Sequence, residues 1–478
     1  MKHPRFKLTV FARKLSLIGL VSTSFISLVQ ATPQPKFLYS KEPLVMTADS
    51  LHDALGAFTL AQLPAPQPKC QVKLKDDATP LTRRMWAIAL DDLERNLITN
   101  EKGTYFAAGT RYTDRIYTRD IAINGILGAN QLFPKEMKDS LMLTRQSMKD
   151  LGYQVSRPHL VPEINAPWKV IAEEDKEIMA QFKTNSYTRR TDDVVWMWAT
   201  YDLFTRHPEL ADWKWFHENG SEFFSRFYAP WYDASDGLYR GQPLFHDITN
   251  SAYPKGMTIA DCVLLKALST NCIYYKAMLA MADASAQIGR PETEKQEWLS
   301  RAAALKTAIV KQFTNADGTL AYYKDRHGVL MTNRDILGIA FAVILGVVEG
   351  DAAKAAYAGY PETDLGVPLF SPFIPGNKGP HNQAVWPFTV SFYFWGKSMA
   401  FGEDYSDYNA AILGRSLGTA FEDIPQKRKS DGEDWGTALG SFHEKINLPS
   451  GKIDGSGHQL WSAAAFLNVC LRAGVIQP

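Results

Sequence analysis

From about residue 79 onward, the hydrophobic residues fall into two kinds of segment, and both predict helices. In one kind an apolar stripe at 3.6-residue spacing backs onto a charged side, as in KEMKDSLMLTRQSMKDL (135–151) and ETEKQEWLSRAAALKTAIVKQ (292–312). In the other the apolar residues run nearly all round. These runs are IAINGILGA (121–129), VVWMWATYDLF (194–204), CVLLKALSTNCIYY (262–275), ILGIAFAVILGVV (336–348), AVWPFTVSFYFW (384–395) and WSAAAFLNVCL (461–471). A helix apolar on every side must be buried, and a one-sided helix covers it. The runs are too short to cross a bilayer. They start about 50 to 75 residues apart, with charged helices between most of them, which is a long and uneven repeat. An inner ring of six helices inside an outer ring satisfies both kinds. The expected fold is all-α, an (α/α)6 toroid or barrel over residues 79–478.

Residues 32–78 depart from this pattern. They hold six of the 26 prolines (Pro33, Pro35, Pro43, Pro64, Pro66 and Pro68) and predict an extension packed on the barrel. Its Pro-rich parts should be irregular, with a short helical patch near 51–60. Residues 1–31 read as a secretory signal peptide. Lys2, Arg5, Lys7, Arg13 and Lys14 precede the apolar stretch LSLIGLVSTSFISLV, and Val29-Gln30-Ala31 fits a small-residue cleavage site. Export to the periplasm or the medium follows. No Cys stands at that site, so no lipid anchor is indicated.

Loss of those five cations, with no acid among them, takes the net charge from +1 to −4. A mildly acidic chain argues against nucleic acid or anionic membrane as a partner. No GxGxxG or GxxxxGK[ST] occurs, so nucleotide binding has no support. Cys70, Cys262, Cys272 and Cys470 show no CxxC or zinc spacing. The last three sit in apolar runs and read as buried thiols. Export permits a disulfide but does not call for one.

Candidate chemistry stands where the apolar runs begin. Their openings are Tyr117-Thr118-Arg119-Asp120, Thr191-Asp192-Asp193, Lys255-Gly256-Met257-Thr258, Thr332-Asn333-Arg334-Asp335, His381-Asn382-Gln383 and His458-Gln459. If the inner helices run parallel, these groups converge at one end of the ring. Capping accounts for Thr118, Thr191, Thr258 and Thr332, and the helix dipole favours an aspartate in a first turn. Neither explains Arg119 or Arg334, since a cation is unfavourable at a helix N-terminus. Two arginines so placed, each beside an aspartate, suggest a site for a polar ligand.

At these residues the order of motifs resembles the six-hairpin glycosidases. It is most similar to the α-1,6-glucosidase domain of glycogen-debranching enzymes, with processing α-glucosidases and trehalases further away. YTRD (117–120) resembles an aromatic-x-Arg-Asp start of an early inner helix, and TDDVVWMWATYDLF (191–204) an Asp-x-x-Leu-Trp helix. HNQAVWPF (381–388) is similar to His-Asn-Gly-x-Val-Trp-Pro, and GHQLWSAAAFL (457–467) to a closing Gln-x-Trp-Ser helix. The likeness spans roughly residues 80–475 by motif order, with Tyr117 and Gln383 as departures from the usual Trp or Gly and Gly.

The resemblance implies inverting glycoside hydrolysis, in which one carboxylic acid protonates the leaving oxygen and a carboxylate across the sugar activates water. The layout of residues 236–278 places the acid at Asp247, in PLFHDITNSAYP. Phe245 and Tyr253 could desolvate it and raise its pKa. The alternative reading of Asp247 is an Asx-turn before Thr249-Asn250-Ser251. Rival acids are Asp431, Glu433 and Asp434 in DGEDWG (431–436). For the base the resemblance implies Glu444, ahead of the Asn447-Leu448-Pro449-Ser450-Gly451 turn. Its bland alternative is a solvated loop glutamate paired with Lys445.

Arg119, Asp120, Asp193, Arg334, His381 and Gln383 are then candidates for binding sugar hydroxyls in charge-assisted geometry. Gln459 would shape the pocket, with Trp386 and Trp461 as core residues or sugar platforms. The implied substrate is a carbohydrate, and no metal or other cofactor is required. Two other readings stay open: a polysaccharide lyase or unsaturated-uronyl hydrolase using Arg119, Arg334 and His381, and a glycan-binding protein without catalysis. Residues 155–190 and 355–380 are the candidate specificity loops. The leader is directly testable: intact-mass measurement of the exported protein is expected to give a chain starting at Thr32, and a retained Met1 on exported protein would refute it.

Overall fold

Helices alternate along the chain between one-sided and wholly buried, as the periodicity requires. The structure is a computed structural model and describes residues 44–150, 191–246, 252–417, 425–427, 434–437 and 440–476, apart from gaps at 54–55, 102, 110–111, 113–115, 364, 378 and 380. The covering helices are α1 (Pro80–Arg95), α3 (Pro134–Asp150), α5 (Trp213–Glu222), α7 (Glu292–Phe313), α9 (Gly350–Tyr357) and α11 (Ser406–Gly414). The buried ones are α2 (Thr118–Asn124), α4 (Thr191–Arg206), α6 (Leu268–Gln287), α8 (Ile336–Ile344), α10 (Pro387–Phe401) and α12 (Leu460–Arg472).

The buried helices pack in chain order, α2 on α4, α4 on α6, α6 on α8, α8 on α10 and α10 on α12. Helix α12 returns to α2 and closes the ring. The covering helices pack on the outside of the ring: α1 on α12, α3 on α2 and α4, α5 on α4 and α6, α7 on α6, α9 on α8 and α10, α11 on α10 and α12. This is the (α/α)6 barrel.

Local chemistry explains the individual helices. Thr79 accepts the Thr82 N–H at 3.1 Å and Pro80 takes the first helical position of α1, where its missing N–H costs nothing. Helix α8 has no polar side chain, and α12 is buried without interruption from Leu460 to Cys470. Gly402 ends α10 at φ +69°, the left-handed turn that glycine adopts without strain. Cys262, Cys272 and Cys470 are buried and free, and Cys70 is free and half-buried. Among the described residues no helix is long and apolar enough to cross a membrane.

Three local expectations change. The helical patch near 51–60 is instead two antiparallel strands, Ser50–Asp53 and Gly56–Thr59. Leu51 and Phe58 are direct cross-strand partners and both are fully buried, a cross-strand apolar pair of the kind that stabilises a hairpin. Second, Thr258 does not open the third inner helix. It caps a short helix, Ile259–Leu264, and the chain breaks at Leu265 before α6 begins. Lys266 is responsible: its buried ammonium lies 2.6 Å from Asp233 and 2.7 Å from Asp236, which holds Lys266–Ala267 as a strand on Tyr323–Lys324. Third, the run 384–395 starts as a strand, Ala384–Val385, and turns helical only at Pro387.

The tightest joint of the ring sets a stability test. At Gly396 a Cβ would collide with Tyr357 Oη of α9 and stand 3.2 Å from the Ala340 carbonyl of α8. Gly396→Ala is expected to destabilise by about 1–3 kcal/mol through overpacking, read as a lower urea midpoint. An uncrowded helix would instead gain about 0.5–1 kcal/mol from the same change, so the sign decides.

Candidate active site

Five of the six inner helices open onto one short segment, residues 242–246. From α2, Arg119 Nη1 donates to the carbonyls of Leu244 (3.3 Å) and Phe245 (3.2 Å). From α6, Ser269 Oγ accepts the Leu244 N–H at 3.3 Å and the Thr270 hydroxyl donates to the Gln242 carbonyl. At α8, Asp335 accepts the N–H groups of Leu337 and Gly338, and its carboxylate lies 3.6 Å from His246 Nε2. The Phe245 ring meets the residues that open α10 and α12. Its centroid is 4.6 Å from Trp386, 4.9 Å from Phe388 and 5.5 Å from Trp461, all edge-on. His381 lies 5.0 Å from the same ring and stacks on Trp386. Polar ends and aromatic rings thus converge at one mouth of the barrel.

Glu444 reaches this mouth through a small sheet. Ala384–Val385 pairs antiparallel with Lys445–Asn447, in the register Ala384 to Asn447 and Val385 to Ile446. Lys445–Asn447 pairs in turn with Ile453–Asp454. That register carries Glu444 beside the segment through which Trp386 enters α10. The expected alternative partner of Glu444 is engaged elsewhere: Lys445 Nζ is 3.0 Å from Asp454 Oδ2 and lies 5.4 Å from the centre of the Trp386 ring. Glu444 Oε2 accepts the Ser456 N–H at 3.0 Å. Gly455, at φ +92°, leaves the space this needs, because a Cβ there would strike the Glu444 carboxylate.

Asp247 lies outside the described residues, as do Asp431 and Glu433, and Asp434 is described only as part of the strand Asp434–Thr437. The described residues stop at His246 and resume at Ala252. Phe245, His246 and Tyr253 are all buried, and the Tyr253 hydroxyl donates to the His246 carbonyl at 3.4 Å.

The other candidates divide. Asp120 and Asp193 are buried in the first turns of α2 and α4, and Asp120 Oδ2 is 3.9 Å from Arg119 Nε. Gln459 is fully buried immediately before α12, its Oε1 close against Gly109. The backbone carbonyl of Gln383 accepts the Leu448 N–H at 3.0 Å, and its side chain is half-buried. Arg334 is turned away. Its guanidinium donates to the carbonyls of Ala358 (2.6 Å) and Gly359 (2.9 Å) and rests over Tyr360, so it ties down the turn after α9.

Trp461 stacks on Phe388 at 4.5 Å, and Trp386 has His381 on its face. Both indoles therefore spend a face on protein. Their buried Nε1–H groups, both amide atoms of Gln459 and Gln242, and both ring nitrogens of His246 have no hydrogen-bond partner among the described residues. A buried polar group left unmade costs about 1–3 kcal/mol, so their gathering at one mouth suits a hydroxyl-rich ligand better than a packing core. No group of His, Cys, Asp and Glu suited to a metal occurs among the described residues.

His246 carries no sequence motif, and Asp335 reads there only as a neighbour of Arg334, yet the two lie 3.6 Å apart at the mouth. The only local signal was adjacency, His246 to Asp247 and Asp335 to Arg334. Sequence reasoning passed over Asp92 and gave His458 no task. Asp92 is buried on α1 and accepts from His458 Nδ1 at 2.6 Å.

No known protein family and no curated protein matches the sequence. Solved structures do match in fold. A glycosidase is 16% identical, covering 85% of this chain and 100% of its own, with a TM-score of 0.52. The GH63 mannosylglycerate hydrolase from Thermus thermophilus is 13% identical over 80% of this chain and 98% of its own, also at 0.52. A metal-independent alpha mannosidase from Streptococcus pneumoniae, solved with alpha-1,6-mannobiose, is 13% identical over 82% and 92%, at 0.51. The barrel is one that these glycosidases share.

Proposed function

We propose that this chain is an exported glycoside hydrolase that inverts the anomeric centre, removing a sugar from the end of an oligo- or polysaccharide. The observation that carries the reading is the meeting of two distant loops. Phe245, two residues before Asp247, packs on Trp386, and the strand beginning at Lys445, next to Glu444, pairs with the strand that leads into Trp386. Inversion needs two carboxylates on opposite sides of the sugar with room for a water, and these contacts bring the segment leading to Asp247 and the loop of Glu444 to the same aromatic residue. The glycosidase neighbours add support through the shared fold.

In this reading the Asp247 carboxyl, kept neutral by Phe245, His246 and Tyr253, gives its proton to the glycosidic oxygen as the bond to the anomeric carbon breaks. Glu444, steadied by the Ser456 N–H, removes a proton from water as that water attacks the opposite face. The step leaves Asp247 ionised and Glu444 protonated, and exchange with solvent restores both. Asp120, Asp193, His381, Gln383 and Gln459 bind hydroxyls, while the Trp386 and Trp461 N–H groups act as donors more than their faces act as platforms. Arg119 holds the acid's loop. The lyase reading is weaker: Arg334 is spent on the 358–359 turn and Arg119 donates to the 244–245 carbonyls, so neither is poised for a uronate.

Asp247→Asn and Glu444→Gln are each expected to lower kcat by about 10²–10⁴-fold, the usual worth of a general acid or base, with an unchanged melting temperature. α-D-Glucosides and α-D-mannosides are the first substrates to assay. Wild-type turnover by Glu444→Gln removes the base assignment. Proton NMR of the first-formed sugar should give the inverted anomer, and retention rules the mechanism out. A rise in absorbance near 230 nm would favour a lyase. Gly455→Ala, which crowds the Glu444 carboxylate, should lower kcat by about tenfold or more, since small misplacements of a catalytic group are costly.

A further inference from the structure

Asp92 stands on a covering helix, outside the mouth, and yet its carboxylate joins the two chain segments that carry Glu444 and Gln459. Oδ2 accepts the N–H of Phe442, two residues before Glu444, at 2.8 Å. Oδ1 accepts from Nδ1 of His458, the residue before Gln459, at 2.6 Å. One turn on, just past the end of α1, Asn96 Nδ2 donates to the His458 carbonyl at 2.6 Å. The segments are also tied to each other, through Gln459 N–H to the Phe442 carbonyl at 2.9 Å and His458 N–H to Ser441 Oγ at 3.1 Å.

Two features set this apart from an ordinary buried tie. His458 has a positive φ of 43°, the only residue other than glycine with one among the described residues. A non-glycine residue holds that conformation when its surroundings over-determine it. Asp92 is almost wholly buried at 1% exposure, and burial pushes its carboxyl above the usual range while the imidazole of His458 and the Phe442 N–H pull it back. A carboxylate kept in so dry a place is expensive unless charge and hydrogen bonds meet it. The two oxygens of this one carboxylate hold both segments at hydrogen-bond distance.

We infer that Asp92, through His458, is a positioning residue for hydrolysis: the pair fixes the Phe442–Glu444 backbone against α12 so that Glu444 meets its water in attacking geometry. The inference rests on the reading of Glu444 as the base. Asp92 contacts Phe442 and His458, and its effect passes through Glu444.

The test uses the full chain with α-D-glucosyl fluoride and α-D-mannosyl fluoride, whose leaving group needs little help from the acid and so isolates the base. Asp92→Asn is expected to lower kcat about 100-fold, the cost of a displacement near 1 Å. In a Glu444→Gln background the same change should alter kcat less than about threefold, because contributions passing through one residue do not add. His458→Asn, which tolerates the left-handed backbone, should match Asp92→Asn, and it carries the test if Asp92→Asn fails to fold. A merely structural tie would instead lower the melting temperature and reduce kcat by the same factor in both backgrounds, and that overturns the inference. Glu444→Gln inactive with Asp92→Asn and His458→Asn like wild type also overturns it, and leaves the hydrolase reading intact. No turnover of either fluoride by wild type, or full turnover by Glu444→Gln, overturns both.

Discussion

Everything at the mouth depends on two carbonyl oxygens held by one guanidinium. Arg119 Nη1 binds the carbonyls of Leu244 and Phe245, and this pins a non-helical segment across the ends of five inner helices. Such a segment cannot lie buried unless its backbone groups are met. Arg119, Ser269 and Thr270 meet them from α2 and α6. The cation at a helix N-terminus, unfavourable against the dipole, is offset by those carbonyls and by the neighbouring Asp120. Once the segment is fixed, the Phe245 ring has one place to go, among Trp386, Phe388, Trp461 and His381.

The opposite wall is built by different means. Glu444 is not on a helix, and its placement follows from strand register. Pairing of Val385 with Ile446 couples it to the entrance of α10, while Asp92 on α1 and Asn96 just past its end couple its loop to the entrance of α12. The segment that leads to the proposed acid is thus clamped from inside the ring, and the loop of the proposed base from outside it. The two can be tuned independently, which suits a reaction that asks opposite protonation states of two carboxyl groups.

The proposed function sits at the end of this fold where helix N-termini converge, for a reason common to helical proteins. Inner helices apolar on nearly every side leave few polar side chains along their length to bind a ligand. Chemistry is confined to their ends and the loops joining them. The same confinement explains how neighbours at 13–16% identity can share the barrel: the ring asks only for apolar helices of suitable length, which many sequences supply.

The ring was legible in the chain because it depends on local information. Whether a helix is apolar on one side or on all sides is written in consecutive residues such as ILGIAFAVI or LWSAAAFLNVC, and burial follows from that alone. Motif likeness also pointed to the mouth, through Arg119, His381 and Gln459. What the residues do there was not legible. Arg119 and Arg334 look alike in the sequence, each a cation beside an aspartate at a helix start, yet one clamps the 244–245 carbonyls and the other the 358–359 turn. Lys266 broke a run that read as one helix because Asp233 and Asp236, some thirty residues earlier, bind its ammonium. Asp92 and His458 stand 366 positions apart. Periodicity is a property of neighbours along the chain and survives without a fold, whereas the partner of a charge is whatever the fold brings within 3 Å, and only the tertiary structure decided that.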